Sequence, residues 1–111
     1  MAILGAVEQV IDNYIDNALS QVEPNTEITV LISSTHTHGS VHVLDEGPGM
    51  SELEISKAFN RFWRATSDSH GSGLGLAIVE RLVTLGGGHV QLSNRQPHGL
   101  DAQADFLLKN A

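Results

Sequence analysis

The sequence predicts an α+β domain, built as a two-layer α/β sandwich with helices on one face of a mixed, mostly antiparallel sheet. Two long stretches carry apolar residues at the three- and four-residue spacing of amphipathic helices. Most of the other apolar residues alternate with polar ones in short runs typical of half-buried strands. The elements follow one another as helix, two strands, short helix and loop, helix and two strands. This order favours helices gathered on one face of a single sheet.

Length and composition limit the possible functions. The 111 residues suit one compact domain spanning residues 1–111. Acidic residues outnumber basic ones by 13 to 6, so a nucleic-acid partner is not predicted. Cysteine is absent, which excludes disulfides and thiolate metal sites and fits a cytoplasmic location. No apolar run approaches the roughly 18 residues that span a bilayer. We therefore expect no direct membrane insertion, and we expect the isolated domain to be a monomer.

The first stretch predicts a long helix that carries two asparagines on one face. Its apolar repeat extends over roughly 3–21, and Pro24 ends it. Asn13 and Asn17 are four residues apart, so their side chains project one turn from each other. Asparagine is a weak helix former. The pair therefore suggests a polar task, such as aiming two side-chain carbonyl oxygens at a cation, and a solvated helix face is the alternative.

A β-hairpin is predicted next. Alternating apolar residues indicate a strand from Thr26 to Ser34, a turn over residues 35–40 and a returning strand from Val41 to Leu44. Three histidines lie in or beside this hairpin, and we interpret them as turn or surface residues, with a zinc site as the alternative: His36, His38 and His42.

A carboxylate and two glycines follow the hairpin, in the stretch Leu44-Asp-Glu-Gly-Pro-Gly-Met-Ser51. Asp45 ends a strand, where a carboxylate can accept a hydrogen bond from a ligand's amino group. Gly47 and Gly49 let a flat ring approach the backbone. A plain Asp/Gly/Pro turn is the alternative interpretation.

A short helix and an aromatic segment come next. Ser51 begins a capping-box pattern, which predicts a helix start. In residues 58–64, Phe59 and Phe62 are three apart, like one face of a helix, and Arg61 lies between them. Core packing with surface arginines is the alternative to a functional role.

Three glycines at alternate positions lead into the second long helix. Gly71, Gly73 and Gly75 allow a ligand to approach the backbone closely. The first N–H groups of the helix that follows are unpaired, at the positive end of its dipole. Together they form an anion site, most naturally for phosphate. The chain closes with two strands around a loop, at residues 89–93, 94–99 and 101–108.

Four motifs in order resemble the ATP-binding catalytic domain of sensor histidine kinases, in the superfamily that includes gyrase, MutL and heat-shock chaperone ATPases. "EQVIDNYIDNA" resembles the N box and "DEGPGM" the first glycine box. "AFNRFWRA" resembles the F box and "GSGLGLAIVERL" the second glycine box. The closing "GGGHVQLSN" and "HGLDAQADFLL" resemble the terminal strands. The resemblance covers nearly the whole chain and implies a Bergerat-type fold.

The resemblance implies ATP and Mg²⁺ as cofactors. Asn17 would coordinate Mg²⁺, and Asn13 would assist through phosphate or water. Asp45 would accept a hydrogen bond from the adenine amino group, and Gly47 and Gly49 would line the base pocket. Mg²⁺ prefers oxygen ligands and keeps several waters, so one or two amide oxygens with phosphate oxygens are enough.

The resemblance also implies how the phosphates are held. Arg61 of the F box would approach the terminal phosphates, and residues 50–72 would form a mobile lid. The second glycine box would bind the phosphates, which makes these residues part of the predicted site: Gly71, Gly73, Leu74, Gly75 and Leu76. Phosphoryl transfer mainly requires positioning and charge neutralisation. Asn13 and Arg61 are therefore the predicted catalytic residues.

Asn13 distinguishes two branches of the superfamily. In the ATP-hydrolysing relatives, a glutamate four residues before the metal asparagine activates water. An amide cannot take a proton, so the resemblance favours transfer of the γ-phosphate to a histidine on a separate or missing phosphoacceptor domain, with a response regulator as an indirect partner. Ser20 and Gln21 stand where the family often has a basic and an aromatic residue, and they motivate a non-catalytic nucleotide-binding module as an alternative. An anti-sigma-type serine kinase is a further alternative, against which the F box argues.

Overall fold

The computed structural model describes residues 4–60 and 75–108. The elements are, in order, α1 (Leu4–Leu19), β1 (Thr29–Ser34), β2 (His38–Leu44), α2 (Glu52–Lys57), α3 (Gly75–Leu85), β3 (His89–Asn94) and β4 (Leu100–Leu107). The strands form one sheet in the order β1-β2-β4-β3, and each neighbouring pair is antiparallel. Helices α1 and α3 pack against each other and against this sheet. The predicted α+β architecture is confirmed. No helix in the described ranges combines the length and hydropathy needed to cross a membrane.

The core lies between the two long helices and the sheet. Tyr14 of α1 is fully buried, and its hydroxyl donates a hydrogen bond to the backbone oxygen of Gln103 at 2.8 Å. Burial raises the pKa of Tyr14, so the phenol remains a neutral donor. The remaining core is apolar and comes from both layers: Val10, Ala18, Val41, Val43, Met50, Ala58, Leu76, Val79, Val83, Leu92, Leu100, Ala102, Ala104 and Phe106.

The hairpin turn is shorter than predicted, so the interpretation of residues 35–40 as a turn is wrong in its extent. The Thr35 N–H donates to the His38 oxygen at 2.7 Å, and the Thr35 hydroxyl oxygen accepts from the His38 N–H at 3.1 Å. These bonds close the turn early, and β2 therefore begins at His38. The start of β1 is also later than Thr26, because Asn25 has a positive φ of 70° and the Thr26 hydroxyl donates to the Glu23 oxygen in a turn.

Strand β1 forms an edge of the sheet and is poorly covered. Its predicted apolar face contains Ile28, Val30 and Ile32, and only Ile28 packs against the core. The two long helices lie over the other three strands, so Ile32 is 68% exposed. On the opposite face, Leu31 is 51% exposed. The alternation of β1 is therefore correct as a strand signal, although most of the strand is not buried.

The sheet face away from the helices carries two histidine–carboxylate pairs. His42 Nδ1 lies 2.8 Å from Asp101 Oδ1, and His89 Nε2 lies 2.8 Å from Asp105 Oδ2. His42 is thus a paired residue in the middle of β2 rather than a turn residue. Within residues 4–60 and 75–108, no group of three acidic, histidine or cysteine side chains is arranged to hold a metal. The structure gives no support to the zinc alternative there.

The pKa of the Asp105 carboxyl, on this face, is set by opposing effects. Burial by itself would raise its pKa, but hydrogen bonds from Ser40 and Gln103 oppose that effect, together with the nearby His89 and His42. Their sum holds the pKa of Asp105 below its ordinary value. The shortest of these bonds runs from Ser40 Oγ to Asp105 Oδ1 at 2.6 Å.

Candidate nucleotide-binding site

Part of the predicted site lies where β2 and β3 end and β4 begins, a border of the sheet that we call the site edge and define by Asp45, Asn94 and Leu100. Strand β2 ends just before Asp45, whose N–H donates to the Leu100 oxygen at 3.0 Å. Strand β3 ends at Asn94, which is paired with Leu100. The carboxyl end of α1 reaches the same place, because a Cβ added to Gly47 would lie 2.7 Å from the Gln21 oxygen.

Helix α3 points its amino end toward the site edge. Its carboxyl end lies at the opposite end of the strands. There Gly88 packs so closely against the backbone of Asp105 that a side chain at position 88 would clash. Strand β3 starts there, at His89, and returns to Asn94 at the site edge. Helix α3 has 11 residues and is therefore roughly 16 Å long. Its first residue, Gly75, accordingly lies toward the site edge.

The two helix ends give the site edge opposite partial charges. The carboxyl end of α1 is partly negative, and no basic residue lies in its last turn. The amino end of α3 is partly positive, and no acidic residue lies in its first turn. Neither helix neutralises its own terminus with a charged side chain. The arrangement therefore favours a cation beside α1 and an anion beside α3.

Asn13 and Asn17 present amide groups that the described fold does not use. The buried Nδ2 of Asn13 has no hydrogen-bond partner among the described residues. Asn17 is engaged through its backbone oxygen, which accepts from the Ser20 hydroxyl at 2.7 Å, whereas its side chain bonds to no other described residue. A buried amide without a partner costs free energy that a ligand can recover. Both side chains thus fit a site for phosphate, metal or ordered water.

The Asp45 carboxylate is held by one oxygen and open at the other. Asp45 is 2% exposed. Its Oδ1 accepts from the Gly47 N–H at 2.8 Å and from the Leu100 N–H at 3.1 Å. Its Oδ2 accepts from no described residue. The fold therefore orients this carboxylate and leaves one oxygen able to accept a hydrogen bond from a ligand.

The fold requires glycine at some positions of the site and not at others. A side chain at position 47 would clash with the Gln21 backbone, as described above. Gly49 has a positive φ of 77°, and a Cβ there would clash with Asn94 Oδ1. At Gly75, no described atom lies within 4 Å of an added Cβ. The described fold itself thus explains the first two glycines, but it does not explain Gly75.

Several predicted site residues come together, and others lie outside the described part of the chain. Asp45, Gly47 and Gly49 lie together at the site edge, and Gln21, just after the helix that carries Asn13 and Asn17, contacts Gly47. The Leu76 side chain is buried in the core, so only its backbone N–H is available to a ligand. Four predicted contacts lie outside the described residues: Arg61, Gly71, Gly73 and Leu74. Of the predicted lid over residues 50–72, the described part contains α2, which begins with the predicted capping box at Ser51.

The sequence predicts the loop between β3 and β4 but does not indicate that it contributes to the site. Asn94 bonds both backbone groups of Met50, at 2.8 and 2.7 Å. Arg95 Nη1 donates to the Asp45 oxygen at 2.6 Å, and His98 Nδ1 lies 3.2 Å from the Gly47 oxygen. The composition of this loop is that of an ordinary turn. Only the pairing of the sheet brings it against the Asp45–Met50 segment.

Comparison with known proteins identifies relatives of this chain. Over 90 residues, the chain is 38% identical to the sensor histidine kinase YvrG of Bacillus subtilis, covering 78% of this chain and 16% of that protein. It is 38% identical over 99 residues to the histidine-protein kinase/phosphatase MprB of a Mycobacterium species, covering 86% of this chain and 19% of that protein. The chain thus spans about a fifth of the length of these relatives.

A solved structure and a family profile agree with these relatives. The catalytic domain of histidine kinase ThkA superimposes with a TM-score of 0.83 at 27% identity, covering 96% of this chain and 69% of that one. The profile described as "Histidine kinase-, DNA gyrase B-, and HSP90-like ATPase" matches residues 4–110. With the site edge in place, these matches show that the chain belongs to the family of histidine kinase-, DNA gyrase B- and HSP90-like ATPases.

Proposed function

We propose that this chain binds Mg²⁺-ATP at the site edge and donates the γ-phosphate to a histidine on a phosphoacceptor domain, as the catalytic part of a cytoplasmic sensor-kinase module. The named relatives are sensor histidine kinases, which supports this assignment. The structural observation that carries it is the buried Asp45 carboxylate, whose Oδ1 is held by the backbone and whose Oδ2 is open.

Asp45 is suited to select adenine. Its Oδ2 accepts a hydrogen bond, and adenine presents an exocyclic amino group where guanine presents a carbonyl oxygen. The two backbone bonds to Oδ1 fix the direction of the free oxygen, so little orientational entropy is lost when the base binds. In this proposal, Gly47 and Gly49 form the surface beside the base.

The two helix ends are suited to the phosphates and the metal. In this proposal, the first N–H groups of α3, from Gly75 and Leu76, would donate to phosphate oxygens. The same phosphates would be bound by four further residues: Arg61, Gly71, Gly73 and Leu74. Asn17 supplies an amide oxygen to Mg²⁺, an ion that keeps most of its ligands as phosphate oxygens and water. When bound, Mg²⁺ neutralises charge on the phosphates. The unpaired amide of Asn13 holds a phosphate oxygen or an ordered water beside it.

The site favours transfer to an external nucleophile. Asn13 stands one turn before Asn17, where a water-activating base is needed for hydrolysis, and an amide cannot accept the proton. A neutral imidazole nitrogen already carries a free lone pair. It can form the N–P bond as the bond from the γ-phosphorus to the ADP oxygen breaks, and the proton on its other nitrogen leaves afterwards. We therefore assign the acceptor as a histidine on a phosphoacceptor domain, and a response regulator as the later recipient of the phosphate.

Titration calorimetry with ATP, with and without Mg²⁺, tests the binding site. Asn17→Ala removes the proposed metal ligand, so we expect it to abolish the Mg²⁺-dependent part of the affinity. Asp45→Asn keeps Oδ1 and replaces Oδ2 by a donor that faces the adenine amino group, so ATP binding is expected to be lost. Gln91→Ala is the matched control, because this exposed side chain on β3 bonds to no other described residue. Normal ATP binding by both site variants would contradict the assignment.

The transfer step needs a separate assay. A phosphoacceptor domain supplied in trans with γ-labelled ATP is expected to acquire acid-labile label on its histidine. The non-catalytic alternative retains one observation in its favour, because Ser20 and Gln21 bond to each other at 3.3 Å and place no cation near Asn17. ATP binding without any labelled histidine would support that alternative instead.

A further inference from the structure

The Asp45–Met50 segment depends on the loop between β3 and β4 for its shape. The segment contains no helix or strand, so its backbone polar groups need partners from elsewhere. The end of β3 and the loop that follows bond the segment at three places: Asn94 bonds to Met50, Arg95 to the Asp45 oxygen, and His98 to the Gly47 oxygen. The loop therefore holds the beginning, the middle and the end of the segment.

Asn94 makes the most specific of these contacts. Its Oδ1 accepts from the Met50 N–H at 2.8 Å, and its Nδ2 donates to the Met50 oxygen at 2.7 Å. One side-chain amide thus satisfies both backbone groups of a residue, as a neighbouring strand would. Met50 is itself buried in the core. The bonds consequently fix the chain between the glycines and the start of α2 at Ser51.

Asn94 and Gly49 are matched in shape. Gly49 has a positive φ of 77°, in the region that favours glycine, and a Cβ there would clash with Asn94 Oδ1. The asparagine therefore packs directly on the Gly49 backbone. The conformation of Gly47 to Gly49, which borders the proposed base pocket, is set by a side chain that comes from another strand.

We infer that Asn94 is a positioning residue for the base end of the site. It acts through Met50 and Gly49 on the surface beside the base. Among the described residues, both of its side-chain hydrogen bonds go to the backbone of Met50, and none goes to Asn13, Asn17 or α3. This inference rests on the proposed ATP binding. It predicts that the loss of Asn94 weakens ligands that carry adenine and leaves the binding of a bare triphosphate unchanged.

The test measures the affinity of the chain for Mg²⁺-ATP and for Mg²⁺-tripolyphosphate by calorimetry. For Asn94→Ala, which removes two hydrogen bonds, we expect ATP affinity to fall about tenfold and tripolyphosphate affinity to stay at the wild-type value. Gln91→Ala on the same strand is the control, and its affinities for both ligands are expected to match those of the wild type.

Asn94→Asp provides a second readout that a purely structural role would not move. The ionised carboxylate still accepts from the Met50 N–H but repels the Met50 oxygen, whereas the protonated carboxyl restores the donor. At about pH 7, where this carboxyl is ionised, the ATP affinity of the variant is therefore expected to fall, and its tripolyphosphate affinity is expected to stay at the wild-type value.

The outcomes separate the two proposals. A wild-type chain that does not bind ATP overturns the proposed function, and with it the inference. A wild-type chain that binds ATP, beside an Asn94→Ala chain that binds it equally well, overturns the inference alone. An equal loss of ATP and tripolyphosphate affinity also overturns it, because Asn94 would then support the whole fold. If Asn94→Ala does not fold, Asn94→Asp decides: a loss of ATP affinity without a loss of tripolyphosphate affinity supports the inference, and unchanged or equally reduced affinities for both ligands overturn it.

Discussion

Gly75→Ala separates the demands of the fold from those of the ligand. Gly75 is the first residue of α3, its φ is not in the left-handed region, and no described atom lies within 4 Å of an added Cβ. Alanine has fewer conformations to lose on folding than glycine. Where the native backbone allows it, the change stabilises a protein by about 0.4–1 kcal/mol. We therefore expect the free energy of unfolding of the Gly75→Ala chain to stay level or to rise.

The same methyl group is expected to weaken ATP binding. A phosphate oxygen that accepts from the amino end of α3 must come within roughly 2.9 Å of a backbone nitrogen. A side chain at Gly75 occupies space that this approach uses. Loss of one hydrogen bond to a charged group costs about 1.5–3 kcal/mol. That cost corresponds to an affinity lower by about one to two orders of magnitude.

The assay pairs urea denaturation with ATP calorimetry on each variant. Gly99→Ala is the contrasting control, because Gly99 has a φ of 111° and a Cβ there would clash with the Asp45 oxygen. Backbone strain of this kind costs about 1–3 kcal/mol, so Gly99→Ala is expected to lose both stability and ATP affinity. A Gly75→Ala chain that is clearly destabilised, or that binds ATP as tightly as the wild type, would refute the reasoning.

Two further predictions concern the sheet. Because hydrogen bonds and histidines lower the pKa of Asp105 against the effect of burial, its contribution to stability is present above the unfolded pKa of about 3.9 and is lost as the pH falls through the lower folded value. Asp105→Asn is therefore expected to flatten the fall in unfolding free energy between about pH 4 and about pH 2, and an unchanged slope in denaturation curves would count against this account. Ile32 is 68% exposed on an edge strand without charged residues, so Ile32→Lys is expected to reduce self-association in sedimentation runs at high concentration. Equal association of both chains would show that β1 is not the contact.

The elements that sequence reasoning predicted well are those with a local cause. The apolar stripes of α1 and α3 and the capping box at Ser51 each depend on residues within one or two helical turns, and all three are confirmed. The errors occur where side chains of a turn compete with the strand pattern. Thr35 closes the hairpin early through its backbone and its hydroxyl, and Asn25 delays β1 by adopting a positive φ. Apolar alternation contains no information about such bonds.

The site residues were recognisable by type, whereas their geometry depends on the register of the sheet. Asn94 lies opposite Leu100, and the Leu100 N–H donates to a carboxylate 55 residues away in sequence, that of Asp45. A slip of one residue between β3 and β4 would turn Asn94 to the other face of the sheet and leave Met50 without its partners. Asp45 itself is oriented by the contact between the end of β2 and the start of β4, where the Asp45 N–H donates to the Leu100 oxygen and the Leu100 N–H donates to Asp45 Oδ1. The register of β4 with both β2 and β3, more than the conformational preferences of the glycine segment, therefore places Asp45 and Asn94 at the site edge.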